Sequence, residues 1–111
     1  MPVYHNPTFS SLSPARRRLL RLTQQLNFGR IEGLTIRRGE PVLAPMPRIV
    51  VEHKFSGENG PRPEVAHNDF ALKNQHVDLF RLFDRKGDQN YATLRVMQGV
   101  PFSCEHEAAA W

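Results

Sequence analysis

Apolar side chains at Ala15, Leu19, Leu22 and Leu26 recur at helical spacing and form one stripe. Ser13-Pro14 stands just before them, a side-chain cap followed by a residue whose φ is already helical. Asn27 and Gly29 supply the stop, so the spacing predicts a first helix over about 14–27. A second stretch carries Phe70, Leu72, Val77, Leu79, Phe80 and Phe83 over a wider arc. It predicts a more buried helix over about 70–86, capped by Asn68 or Asp69 and ended by Gly87.

Elsewhere the period drops to two. "RIEGLTIRRG" sets Leu34 and Ile36 on one face of a strand, and "EPVLA" reads as its hairpin partner. Gly39 takes the positive φ of the turn, and Pro41, lacking an N–H, suits an edge. "PRIVVEHKF" alternates most clearly, with Ile49, Val51, His53 and Phe55 on the apolar face of what reads as a central strand. "NYATLRVM" and "PFSCEHE" form a second hairpin around Gln98-Gly99. The expected order is αβββαββ: an α+β domain, with a mostly antiparallel sheet and two helices on one face. The expected organisation is a flexible arm over 1–13, one domain over 14–107 and a tail over 108–111.

The second hairpin echoes the first. Residues 19–43 aligned with 79–103 share six identities in 25 positions: Leu19/Leu79, Arg21/Arg81, Leu22/Leu82, Leu34/Leu94, Gly39/Gly99 and Pro41/Pro101. A pseudo-repeat of a helix–hairpin unit is one reading; independent use of one turn recipe is the other. The turns differ in charge, "RRGEP" against "MQGVP".

Charge is unevenly spread. Residues 1–54 hold nine basic and three acidic side chains; residues 55–111 hold six and eight. Such asymmetry points to a polyanionic partner, with internal ion pairing as the alternative. The first helix carries Arg16, Arg17, Arg18 and Arg21 and no acid. Cations in a first turn oppose the helix dipole, at about 0.3–1 kcal/mol each. A wheel puts Arg17, Arg18, Arg21, Gln24 and Gln25 opposite the apolar stripe, with Arg16 flanking it. Together with Arg37 and Arg38 at the first hairpin tip, they would form one positive surface if tip and helix start share a side. The expectation is a small non-enzymatic domain that binds DNA or RNA through phosphate contacts from these six arginines. The competing assignment for Arg16–Arg18 is pairing with acids of the second half, such as Glu105 or Glu107.

Glu52-x-Lys54 puts a carboxylate and an ammonium on one strand face, the spacing found in metal-dependent nucleases with a PD-(D/E)xK signature. That reading makes Glu52 a Mg²⁺ ligand and Lys54 the residue that helps activate water. The signature also wants an Asp on the preceding strand, and none occurs before Asp69. A protein-interaction module using exposed hairpin edges is a third possibility. His53, His76, Cys104 and His106 are read as core or buried groups, because no CxxC or HxxxH spacing supports a metal site. No cofactor is expected. The single Cys104 gives no internal disulfide, no apolar run approaches the ~20 residues that span a bilayer, and the first residues lack the pattern of a signal peptide. These features make a cytoplasmic protein without membrane association the expectation.

Overall fold

The computed structural model describes residues 7–55, 57 and 59–108. Helix α1 (Pro14–Leu26) is followed by strands β1 (Gly29–Arg37), β2 (Glu40–Val42) and β3 (Arg48–Val51). Helix α2 (Asn74–Lys86) then leads to β4 (Gln89–Met97) and β5 (Val100–Glu105). The five strands make one antiparallel sheet, ordered β2-β1-β4-β5, and β3 also pairs with β1. β2 borders the second half of β1 and β3 the first half. The class is α+β, as the alternation of periods implies. Among the described residues no helix is long and apolar enough to cross a membrane.

The echo in sequence is an echo in structure. α1 and α2, β1 and β4, and the starts of β2 and β5 are each offset by 60 residues. The β1–β4 ladder maps onto itself under that offset. Gly29 pairs with Val96, and their counterparts Gln89 and Ile36 pair in turn. The turns correspond in detail: Arg38 and Gln98 have φ 51° and 52°, Gly39 and Gly99 have 77° and 74°. Each turn docks on the end of the other unit's helix. The Gly39 N–H donates to the Gly87 carbonyl at 2.8 Å, and the Gly99 N–H to the Asn27 carbonyl at 2.8 Å. This reciprocal bond is why glycine recurs: the backbone is left-handed, and helix ends come within contact distance of both glycines.

One core lies between helices and sheet. Leu19, Leu20, Leu79, Phe80 and Phe83 meet Ile31, Leu34, Ile36, Tyr91, Leu94 and Val96. The strand period slips at the centre of the ladder, where buried positions step from Ile31 to Leu34 and from Tyr91 to Leu94. Gly33 takes φ 71° at that point of β1.

Three expectations need correction. α2 starts at Asn74, not 70, with Lys73 as N-cap. The residues ahead of it are extended against the N-terminal segment: Phe9 N–H bonds the Phe70 carbonyl and Leu72 N–H the Pro7 carbonyl, both at 2.9 Å. Asp69 does not cap a helix. Its carboxylate accepts from the Ser10 backbone N–H, the Ser10 hydroxyl and the Phe70 N–H. The Ser10 backbone N–H first, and then its hydroxyl, hold that carboxyl below its ordinary range.

Second, the same contacts join Pro7, Phe9 and Ser10, in the segment that the sequence placed in an arm, to residues 69–72. Phe9 is buried in a 3₁₀ turn, Phe9–Ser11, and its ring stacks on Phe70 at 5.0 Å. A turn this short leaves no period to read. The arm at 1–6, and Trp111 with the end of the tail, lie outside the described residues.

Third, "PRIVVEHKF" is not a central strand. β3 is a four-residue edge strand that ends at Val51, because Gly29, its last partner, is where β1 begins. His53 lies beyond it, exposed, and Phe55 is 97% exposed.

Candidate functional site

The face that α1 buries is not centred on its apolar stripe. Leu19, Leu20, Thr23, Gln24 and Leu26 are buried, an arc rotated roughly 80° from the stripe at 100° per residue. Polar residues can occupy this arc because each is bonded. The Thr23 hydroxyl donates to the Leu20 carbonyl at 2.6 Å, and Gln24 Oε1 accepts from Arg21 at 2.9 Å. Gln24 therefore belongs to the core side, not to the basic face.

Arg16 falls in the middle of that buried arc. Its side chain is only 14% exposed. It donates to the Gly39 carbonyl at 2.9 Å, pairs with Asp84, lies 3.9 Å from Glu40 and sits 5.0 Å from the Phe80 ring. Arg16 is thus a clamp joining α1, the first turn and α2, and it is withdrawn from the set of phosphate contacts. Ion pairing was the right alternative for this one arginine, with Asp84 and Glu40 as the acids in place of Glu105 or Glu107. The clamp also fixes a geometric point: the β1–β2 tip adjoins the first turn of α1. The Ser13 hydroxyl reinforces it, at 2.6 Å from Glu40.

The remaining helix arginines line a groove. Arg17, Arg18 and Arg21 join Phe9, Pro14, Leu22, Gln25 and Met46 around about 530 Å³. Among the described residues, no acidic side chain contributes to this lining. Arg21 is held in place over the Phe9 ring, 4.2 Å from its centroid, and bonds the His67 carbonyl. Arg37 and Arg38 are exposed at the tip, where the Arg38 N–H donates to Asp88 at 2.7 Å.

No family model, no curated protein and no solved structure matches this chain.

Glu52 and Lys54 lie past the end of β3, both exposed. The Glu52 N–H bonds the Phe28 carbonyl at 2.9 Å, and Lys54 Nζ sits 4.5 Å from the Phe28 ring centroid. Among the described residues no three His, Cys, Asp or Glu side chains are grouped to hold a metal ion.

His76 is buried, and its Nδ1 accepts the Lys73 N–H at 3.1 Å. It caps α2 from within the core. Burial first, then the Lys73 charge, pushes its pKa down to about 4. Cys104 is half-buried, which pushes its thiol up and leaves it a poor nucleophile. The His106 ring packs edge-on against Tyr91 at 5.8 Å.

The sequence reading missed three arginines on the open face of the sheet. Arg30 and Arg95 are direct cross-strand partners, and Arg48 pairs with Glu32 beside them. Their polar phase within each strand was readable; that they meet depends on the register.

Proposed function

We propose that this protein binds nucleic acid through phosphate contacts made by the outer face of α1 and the adjoining hairpin tip. Arg17, Arg18 and Arg21 would contact the backbone along the groove, with Arg37 and Arg38 extending the surface past the first turn of the helix. The observation that carries this reading is the groove itself, where three arginines join the apolar Phe9, Leu22 and Met46 and no acid is among the described lining residues. The guanidinium groups of Arg17 and Arg18 have no hydrogen-bond or ion-pair partner among the described residues. Guanidinium forks match phosphate oxygens, and the apolar lining residues offer a surface for the sugar. The reading is one of binding, with no chemical step assigned.

The test is fluorescence anisotropy with single-stranded and duplex DNA and RNA across a salt series. Affinity is expected to fall steeply with salt. Arg17→Ala with Arg18→Ala is expected to shallow the slope by about 1 for each phosphate no longer neutralised. Salt-insensitive binding, or binding unchanged in the double variant, would overturn the reading. Arg21 is left out of this test because it also holds the Phe9–Phe70 stack in place.

A further inference from the structure

The two units differ most plainly at one cross-strand position. Arg30 on β1 lies directly opposite Arg95 on β4. The counterparts of this pair, Thr35 and Asn90, also lie opposite one another, and they are neutral. Like charges directly opposed across a ladder are destabilising. Both arginines project away from the core, because their neighbours Ile31, Leu94 and Val96 are buried on its side.

A carboxylate arranges part of this face. Glu32 Oε2 accepts the Arg30 Nε–H at 3.2 Å, and Glu32 Oε1 lies 3.3 Å from the Arg48 Nε. One acid thus holds two guanidinium groups by their inner edges. The terminal nitrogens of both have no partner among the described residues. Arg95 has no hydrogen bond or ion pair among the described residues, and its neighbour on β5 is the neutral Ser103.

We propose that Arg30 and Arg95, flanked by Arg48, form a phosphate-binding site on the open face of the sheet, on the opposite side from the helices. The ligand is a phosphate oxyanion, either free or within a nucleic-acid backbone, bridging the two opposed guanidinium groups. A bridging anion converts the like-charge pair from a cost into a pair of charge-assisted hydrogen bonds. Glu32 is a positioning residue that presents Arg30 and Arg48 by their terminal nitrogens.

The experiment follows the arginine side-chain Nε–H resonances by NMR while inorganic pyrophosphate, a single-stranded oligonucleotide or a duplex is added. Shifts of Arg30 and Arg95 with pyrophosphate identify a site open to free phosphate; shifts with oligonucleotide alone identify a backbone contact. Either result supports the site. Arg95→Thr, which installs the residue found at the equivalent position of β1, is expected to weaken binding roughly tenfold, the effect of losing a charged hydrogen bond. Its melting temperature at low salt without ligand is expected to be unchanged or higher. Thr35→Ala is expected to leave binding unaltered. Unmoved Arg30 and Arg95 resonances, or full affinity in Arg95→Thr, would overturn the inference. The α1 reading is separable: weakened binding in Arg17→Ala/Arg18→Ala alone supports it against this site, and weakened binding in Arg95→Thr alone does the reverse.

Discussion

Burial holds the His76 imidazole neutral, with its pKa near 4 against 6.5 for the free side chain. Between those values the unfolded chain binds a proton that the folded chain does not. The stability that His76 contributes is therefore complete above about pH 6.5 and is lost as the pH falls toward 4, by about 1.4 kcal/mol per unit and about 3 kcal/mol in all. Thermal melts across this range are expected to show that slope in the wild type and a flatter one in His76→Gln, which keeps an acceptor for the Lys73 N–H. An unchanged slope would mean that other groups control acid sensitivity. The sequence reads His76 as a core group, and it is buried, but its capping bond was hidden, because Lys73 does not look like an N-cap. Arg16 was harder still. Nothing in "ARRRLL" separates it from Arg17 and Arg18; only Gly39, Asp84 and Phe80, brought from elsewhere in the chain, do so.

Elements were legible where their signals are local. Ser13 caps α1, its Oγ accepting the Arg16 N–H at 3.2 Å, and Pro14 opens the helix. The start of α2 failed because Phe70 and Leu72, at helical spacing from Leu79 and Phe80, are spent on pairing with residues 7–9. The turns were legible as turns. Their role as reciprocal latches was not, because the partner carbonyls of Gly87 and Asn27 belong to the other unit. At both glycines a side chain would meet a left-handed backbone and close neighbours: Arg16, Asp84 and the Phe83 carbonyl at Gly39, and the Arg62 side chain and Gln24 at Gly99. Gly39→Ala and Gly99→Ala are each expected to cost about 1–2 kcal/mol, read as a lower urea midpoint at unchanged slope. Destabilisation at only one of them would show that the latches are not equivalent.

At the scale of the molecule the two units form one folding body. Their strands share the β1–β4 ladder, their helices share one core, and each turn closes on the other unit's helix. Neither unit has a separate core to retain when the other opens. Leu19→Ala and Leu79→Ala, at equivalent buried positions, are each expected to destabilise by about 2–5 kcal/mol. Both are expected to lower one common transition, seen together by far-UV circular dichroism and tyrosine fluorescence. Two separate transitions would contradict the shared core. The uneven charge has its explanation at this scale too. The fold directs part of the first-half surplus into the molecule, as Arg16 against Asp84, and spreads most of the rest over the α1 groove, the β1–β2 tip and the open sheet face.

The sequence by itself determined the α+β class, the element order, the capped start of α1 and both hairpin turns; it offered the repeat as one of two readings. Each rests on spacing or on backbone constraints within a few residues. Tertiary structure alone decided which arginine becomes the clamp between α1, the first turn and α2, where α2 begins, that β3 is a short edge, and that Arg30 faces Arg95. Those outcomes depend on register and on long-range partners. A pairing between residues 65 positions apart leaves no trace in the local pattern of either strand.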